Sequence, residues 1–114
     1  MLFALICKDK PDHLQVRLDN RPAHLDFLKK LNEAGTLKFA GPFLDDDGKS
    51  TGTLAVIEAA DRNEAAKIGA DDPYAKAGLF ESVRISAWNE RFGFMWSGTA
   101  VMTVCRMLSF RRAG

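Results

Sequence analysis

Three side chains suited to moving a proton beside an anion lie close together in one stretch: Arg17, Arg21 and His24. Imidazole titrates near neutrality, at ~6.5 when unperturbed, so it can both take and give a proton. A carboxylate set against one of its nitrogens would orient the ring, fix its tautomer and favour the charged form. Arg17 and Arg21 lie seven and three residues before His24, which puts all three on one side of a continuous helix. Guanidinium forks bind carboxylates bidentately. The group therefore points to a small organic acid held while His24 moves the proton. Plainer roles exist: a helical histidine bonded to the backbone, and arginines in surface ion pairs. His13, near the start of the same helical stretch, reads as solvated.

The elements that must position these residues can be read along the chain. Leu2 to Cys7 is a continuous apolar run, the pattern of a strand buried on both faces. Pro11 and Asp12 open a helical stretch in which Leu14, Leu18, Leu25, Leu28 and Leu31 form an apolar stripe. Pro22 interrupts that stripe, since an interior proline lacks an N–H and crowds the preceding turn. The spacing predicts a short helix near 12–18 and a main helix over 21–34, capped by Asp19 or Asn20 and closed by Gly35. Residues 36–44 alternate as a strand, with Gly41-Pro42 marking a bulge or sheet edge. Asp45-Asp46-Asp47-Gly48-Lys49 makes a turn, and 51–59 returns as a buried strand. Asp61 with Glu64 starts a second helix. Asp72 before Pro73 reads as the cap of a short helix ending at Gly78, and 80–88 is a final strand.

The order is β-α-β-β-α-β, an α+β ferredoxin-like arrangement: an antiparallel sheet with its helices on one face. The buried character of 2–7 and 54–57 implies that the other face is covered too, most simply by a second copy in a homodimer.

The 114 residues fit one domain, with 46% hydrophobic and 27% charged side chains. A net charge of +1 leaves no basic excess for phosphates, so nucleic-acid binding is not expected. Cys7 and Cys105 have no CxxC or Cys/His company, which fits a reducing, cytoplasmic setting. Cys7, mid-strand, is expected to be an inert thiol. The apolar start lacks a basic flank and reads as a strand rather than a signal peptide. No apolar run reaches the ~20 residues that span a bilayer, and no membrane role is expected.

The stretch Arg17-Leu18-Asp19-Asn20-Arg21-Pro22-Ala23-His24-Leu25 resembles the R-x-x-x-R-P-x-H-L pattern of the YCII-related (YciI-like) family. Gly41-Pro42, Gly48 with Gly52, and Ala70-Asp71-Asp72-Pro73-Tyr74-Ala75-Lys76-Ala77-Gly78-Leu79 follow in the family's order. The last piece is the most specific. The resemblance runs from Met1 to about Phe92, so residues 1–93 are expected to form the domain and 94–114 an extension. It implies a dimeric α+β barrel of ferredoxin-like halves and a pocket holding a histidine and an aspartate, here His24 and Asp72. It further implies an enzyme, with dehydrochlorination of a chlorinated ring-cleavage product the best-defined activity in the family.

Helices lying side by side on one sheet face would bring Asp72 to His24 across the intervening chain. Such a pair suits proton abstraction beside a carbonyl, elimination or isomerisation, with His24 moving the proton and Asp72 orienting it. Asp72 is equally explained as a cap; both roles can coexist if one oxygen stays free. Tyr74, the only tyrosine, could add a hydroxyl donor or serve as a core ring. There is no GxGxxG, Walker loop, G-x-S-x-G or HExxH, and no cofactor or metal is called for. The three aspartates at 45–47 read as a hairpin tip rather than a cation site. The apolar extension from Phe94 reads as an accessory packing element, a weakly ordered tail or an anchor for a membrane or partner.

Overall fold

A computed structural model describes residues 1–91; the expectations for residues 94–114 fall outside these. The elements are β1 (Leu2–Asp9), α1 (Leu14–Glu33), β2 (Leu37–Leu44), β3 (Ser50–Glu58), α2 (Arg62–Ala70), α3 (Pro73–Lys76) and β4 (Phe80–Trp88). The four strands form one antiparallel sheet in the order β2-β3-β1-β4. That is the ferredoxin-like arrangement expected from the sequence, with the helices on one face.

Strand parity explains which residues face which way. Phe3, Leu5 and Cys7 of β1 register with Ile57, Ala55 and Thr53 of β3. The apolar members of this set join Ala59 and Ala65 in the core on the helix side. The other parity sets Leu2, Ala4 and Ile6 beside Leu54 and Val56 on the outer face, where Phe39 and Trp88 meet edge to face at 6.1 Å. β2 is an edge strand, so Pro42 costs the ladder little. Gly52 is required by close approach: a Cβ there would lie 2.4 Å from the Cys7 carbonyl oxygen.

Several local signals act as anticipated. Asp61 caps α2, its side chain accepting the Glu64 N–H. Gly35 and Gly78 follow α1 and α3 with φ of 77° and 76°, the left-handed conformation that glycine adopts without strain. Asp45 accepts the N–H groups of Asp47 and Lys49 and so closes the hairpin tip.

The main correction concerns α1. It is one helix of 20 residues with Pro22 inside it, not two helices meeting there. Asp19 and Asn20 are not caps: Gln15 donates to Asp19, and Asn20 donates to the Val16 carbonyl, both within the helix. The leucine stripe is not the inward face either. Leu14, Leu18 and Leu25 are exposed, whereas the buried residues of α1 are Arg17 and His24. The helix presents a charged and a titratable side chain to the sheet. This orientation forms the site.

Candidate active site

Continuity through Pro22 keeps Arg17, Arg21 and His24 on one helical side, about two turns from end to end. The continuous helix sends both Arg17 and His24 down toward β3 and α3, each only 5% exposed. α3 supplies Asp72 and Tyr74. Asp72 caps the short helix with extended backbone, which aims its carboxylate back across Tyr74.

His24 and Asp72 are within direct bonding reach. The carboxylate can only accept when ionised, so the His24 Nδ1–H donates to Asp72 Oδ1, at 2.9 Å. The Tyr74 N–H donates to the same oxygen, also at 2.9 Å. Capping and ring orientation thus share one oxygen, rather than dividing the two between them. The bond fixes the tautomer and leaves Nε2 as the proton acceptor. Nε2 has no hydrogen-bond partner among the described residues. None of their fully buried side-chain nitrogens or oxygens lacks one, so Nε2 must reach open space.

That space is a cavity of about 190 Å³, bordered by Arg17, Arg21, His24, Thr53 and Tyr74. Leu18, Leu25 and Leu28 of α1 and Ala40 and Pro42 of β2 complete much of its apolar wall. The Tyr74 ring stacks on the His24 ring, with centroids 3.9 Å apart and planes inclined by 14°. It also lies 4.7 Å from the Arg17 guanidinium carbon. Burial pushes the Tyr74 phenol up, against the opposing pull of Arg17 and Arg21, so it stays neutral.

The two arginines differ. Arg17 donates to both oxygens of Asp9, through Nε at 2.7 Å and Nη2 at 3.0 Å, and through Nη2 to Thr53 Oγ1 at 2.8 Å. Burial works against its charge, but the bonds to Asp9 more than offset that. Arg17 is therefore committed to the protein itself. Arg21 is exposed, has no ion-pair partner among the described residues and borders the cavity. His13 donates through Nδ1 to the Pro11 carbonyl at 2.8 Å, away from this site.

Sequence reasoning passed over Asp9 and Thr53. Strand parity could have found both, since Asp9 continues the Phe3, Leu5, Cys7 series and Thr53 the Ile57, Ala55 series. Among the described residues no cluster of three or more potential metal ligands occurs.

Cys7 lies below this network. Burial, with the Asp72 and Asp9 carboxylates adding to it, pushes its thiol from 9.0 up to about 12. The raised value makes the thiol form part of the folded state's stability. That contribution is complete below pH 9 and is lost as pH climbs through about 12. In a Cys105→Ser background, Cys7 is expected to resist a thiol-reactive dye at pH 8 in the native protein and to react fully in guanidinium chloride. Rapid native reaction would contradict the burial described.

The YCII-related domain pattern matches residues 1–89. Protein YciI of Escherichia coli O6:H1 is 38% identical over 98 residues, spanning 81% of this chain and 100% of that protein. The derivative of benzaldehyde biosynthesis cluster protein C of Emericella nidulans is 38% identical over 82 residues, 66% of this chain and 83% of that one. Among solved structures, 5-chloro-2-hydroxyhydroquinone dehydrochlorinase (TftG) from Burkholderia phenoliruptrix, complexed with 2,5-dihydroxybenzoquinone, aligns with a TM-score of 0.70 and 35% identity. That alignment covers 85% of this chain and all of the other.

Proposed function

The chain belongs to the YCII-related family, and from that premise we propose that it is an acid–base enzyme acting on a small carboxylated or carbonyl compound. The observation that carries this reading is the His24–Asp72 bond beside an open cavity. Asp72 holds Nδ1–H, so Nε2 carries the lone pair that accepts a substrate proton. Stacking on Tyr74 and bonding to Asp72 hold the ring in place while the proton is transferred. The proton can then return to another atom, which gives isomerisation, or assist a leaving group, which gives elimination. Positioned acid–base groups of this kind supply ~10²–10⁴-fold in rate.

Among the described residues, Arg21 is the cation free to hold an anionic oxygen beside the cavity, with the leucines and Pro42 against an apolar ring or chain. Arg17 serves the site as a fixed charge in its wall. A cavity of about 190 Å³ suits one small ring rather than a polymer. TftG, with its chlorinated hydroquinone, supplies a first probe of matching size.

The test is to titrate wild type and Arg21→Leu with 2,5-dihydroxybenzoquinone by calorimetry, and to follow chloride release from 5-chloro-2-hydroxyhydroquinone. Wild type is expected to bind the quinone and Arg21→Leu to bind it at least ~10-fold more weakly, the scale of one lost charge-assisted bond. Equal affinity of the two proteins would remove Arg21 from the site. Failure of both probes, followed by no thermal shift across a panel of small carboxylic acids, would count against the enzyme.

The outer sheet face bears on assembly. Leu2, Ile6, Leu54, Phe39 and Trp88 lie on it, and Trp88 is 39% exposed. We assign its cover to a second copy of the chain. No helix among the described residues is long and apolar enough to cross a membrane. Sedimentation equilibrium is expected to return twice the 12.6 kDa chain mass, and Phe39→Glu to shift it toward the monomer. A monomeric wild type would dismiss the pairing.

A further inference from the structure

We propose that Thr53 is a substrate-binding residue that donates its hydroxyl hydrogen to the oxygen on which negative charge gathers as His24 removes a proton. The inference rests on the acid–base reading above and adds the group that receives the electrons.

Thr53 is 4% exposed and borders the cavity from β3, opposite the helix that carries His24. Its Oγ1 accepts from Arg17 Nη2 at 2.8 Å. A hydroxyl has one proton to give, and Thr53 gives it to no acceptor among the described residues. Burial of a polar group is costly unless its bonding capacity is used, so a donor left over at a cavity wall is placed for a ligand atom. Arg17 also prepares it. A hydroxyl that accepts from a cationic donor is polarised and becomes a better donor in turn. Asp9 fixes the guanidinium through two bonds, so neither Arg17 nor the hydroxyl has to reorganise during the reaction.

The step balances within the pocket. A substrate C–H or O–H bond breaks and an N–H bond forms at His24 Nε2. The electron pair stays on the substrate and delocalises onto its oxygen. Thr53 keeps its own proton and stabilises that oxygen by a hydrogen bond that strengthens as charge develops. Preorganised donors of this type raise kcat rather than ground-state affinity.

Chloride release from 5-chloro-2-hydroxyhydroquinone is followed for wild type, His24→Gln, Thr53→Val and Thr53→Ser, with folding verified by circular dichroism. Thr53→Val is expected to lower kcat by about 10²-fold with KM nearly unchanged, the scale of one lost oxyanion donor, and Thr53→Ser to restore most of it. Should Thr53→Val not fold, Thr53→Ala removes the hydroxyl without setting a methyl against Arg17 and carries the same expectation. A hydroxyl-free variant with wild-type kcat, while His24→Gln is inactive, overturns the role of Thr53 and leaves that of His24 intact. Thr53→Ser as slow as Thr53→Val overturns it too. Chloride release from wild type no faster than from His24→Gln overturns both readings together.

Discussion

Replacing His24 by glutamine is expected to lower turnover by about 10²–10⁴-fold while leaving the domain folded. Glutamine keeps an N–H that can reach Asp72 Oδ1, now held at 2.9 Å by the ring nitrogen, but it has no atom that takes a proton at working pH. The stability change should be about 1 kcal/mol, the net value of one hydrogen bond, with a small addition for the lost stacking on Tyr74. Asp72→Asn is the companion. Its amide oxygen can still cap α3 through the Tyr74 N–H, so the helix survives, but the carboxylate that accepts the His24 Nδ1–H and orients the ring is gone. Turnover should fall in both variants, and melting temperature should stay near wild type. A His24→Gln protein that is as fast as wild type would end the acid–base account. One that unfolds would show the ring to be structural.

The second large effect is on stability. Asp9→Ala should cost ~3–5 kcal/mol, because it strands the Arg17 guanidinium in a site that is only 5% exposed. Both of its Asp9 bonds would be lost, and the bond to the neutral Thr53 hydroxyl leaves the charge uncompensated. For a domain of this size that loss corresponds to a fall in Tm of more than ~10 °C. Asp9→Ala combined with Arg17→Met should recover much of it, since removing both charges spares the uncompensated one. Thermal denaturation of the single and double variants tests this. Additive losses would mean that the pair is not energetically coupled.

These two results touch what was and was not legible in the sequence. Strand and hairpin positions followed from alternation and from Gly48, Gly52 and Pro42. Element order set the first two helices of the ferredoxin-like arrangement side by side, whereas in the structure it is the short α3 that packs against α1 and carries Asp72 to within 2.9 Å of His24. The continuity of α1 was not legible. A helix-interior proline carries a penalty of ~3 kcal/mol, and local rules therefore cut the chain at Pro22. The structure keeps the helix whole, and only a whole helix sets Arg17 and His24 on one face two turns apart. The leucine stripe misled for a related reason. Hydrophobic periodicity assumes that the apolar side turns inward, yet a charge pair fixed by Asp9 and a ring held by Asp72 occupy that side. Partners this far apart in the chain leave no periodic trace.

The shared oxygen of Asp72 ties two events that proteins more often keep separate. The Tyr74 amide cannot exchange its hydrogen with solvent until its bond to Oδ1 opens, and any fraying of α3 that opens it also loosens the imidazole from its anchor. Deuterium uptake at that one amide is therefore a clock for how often the resting protein loses its oriented base.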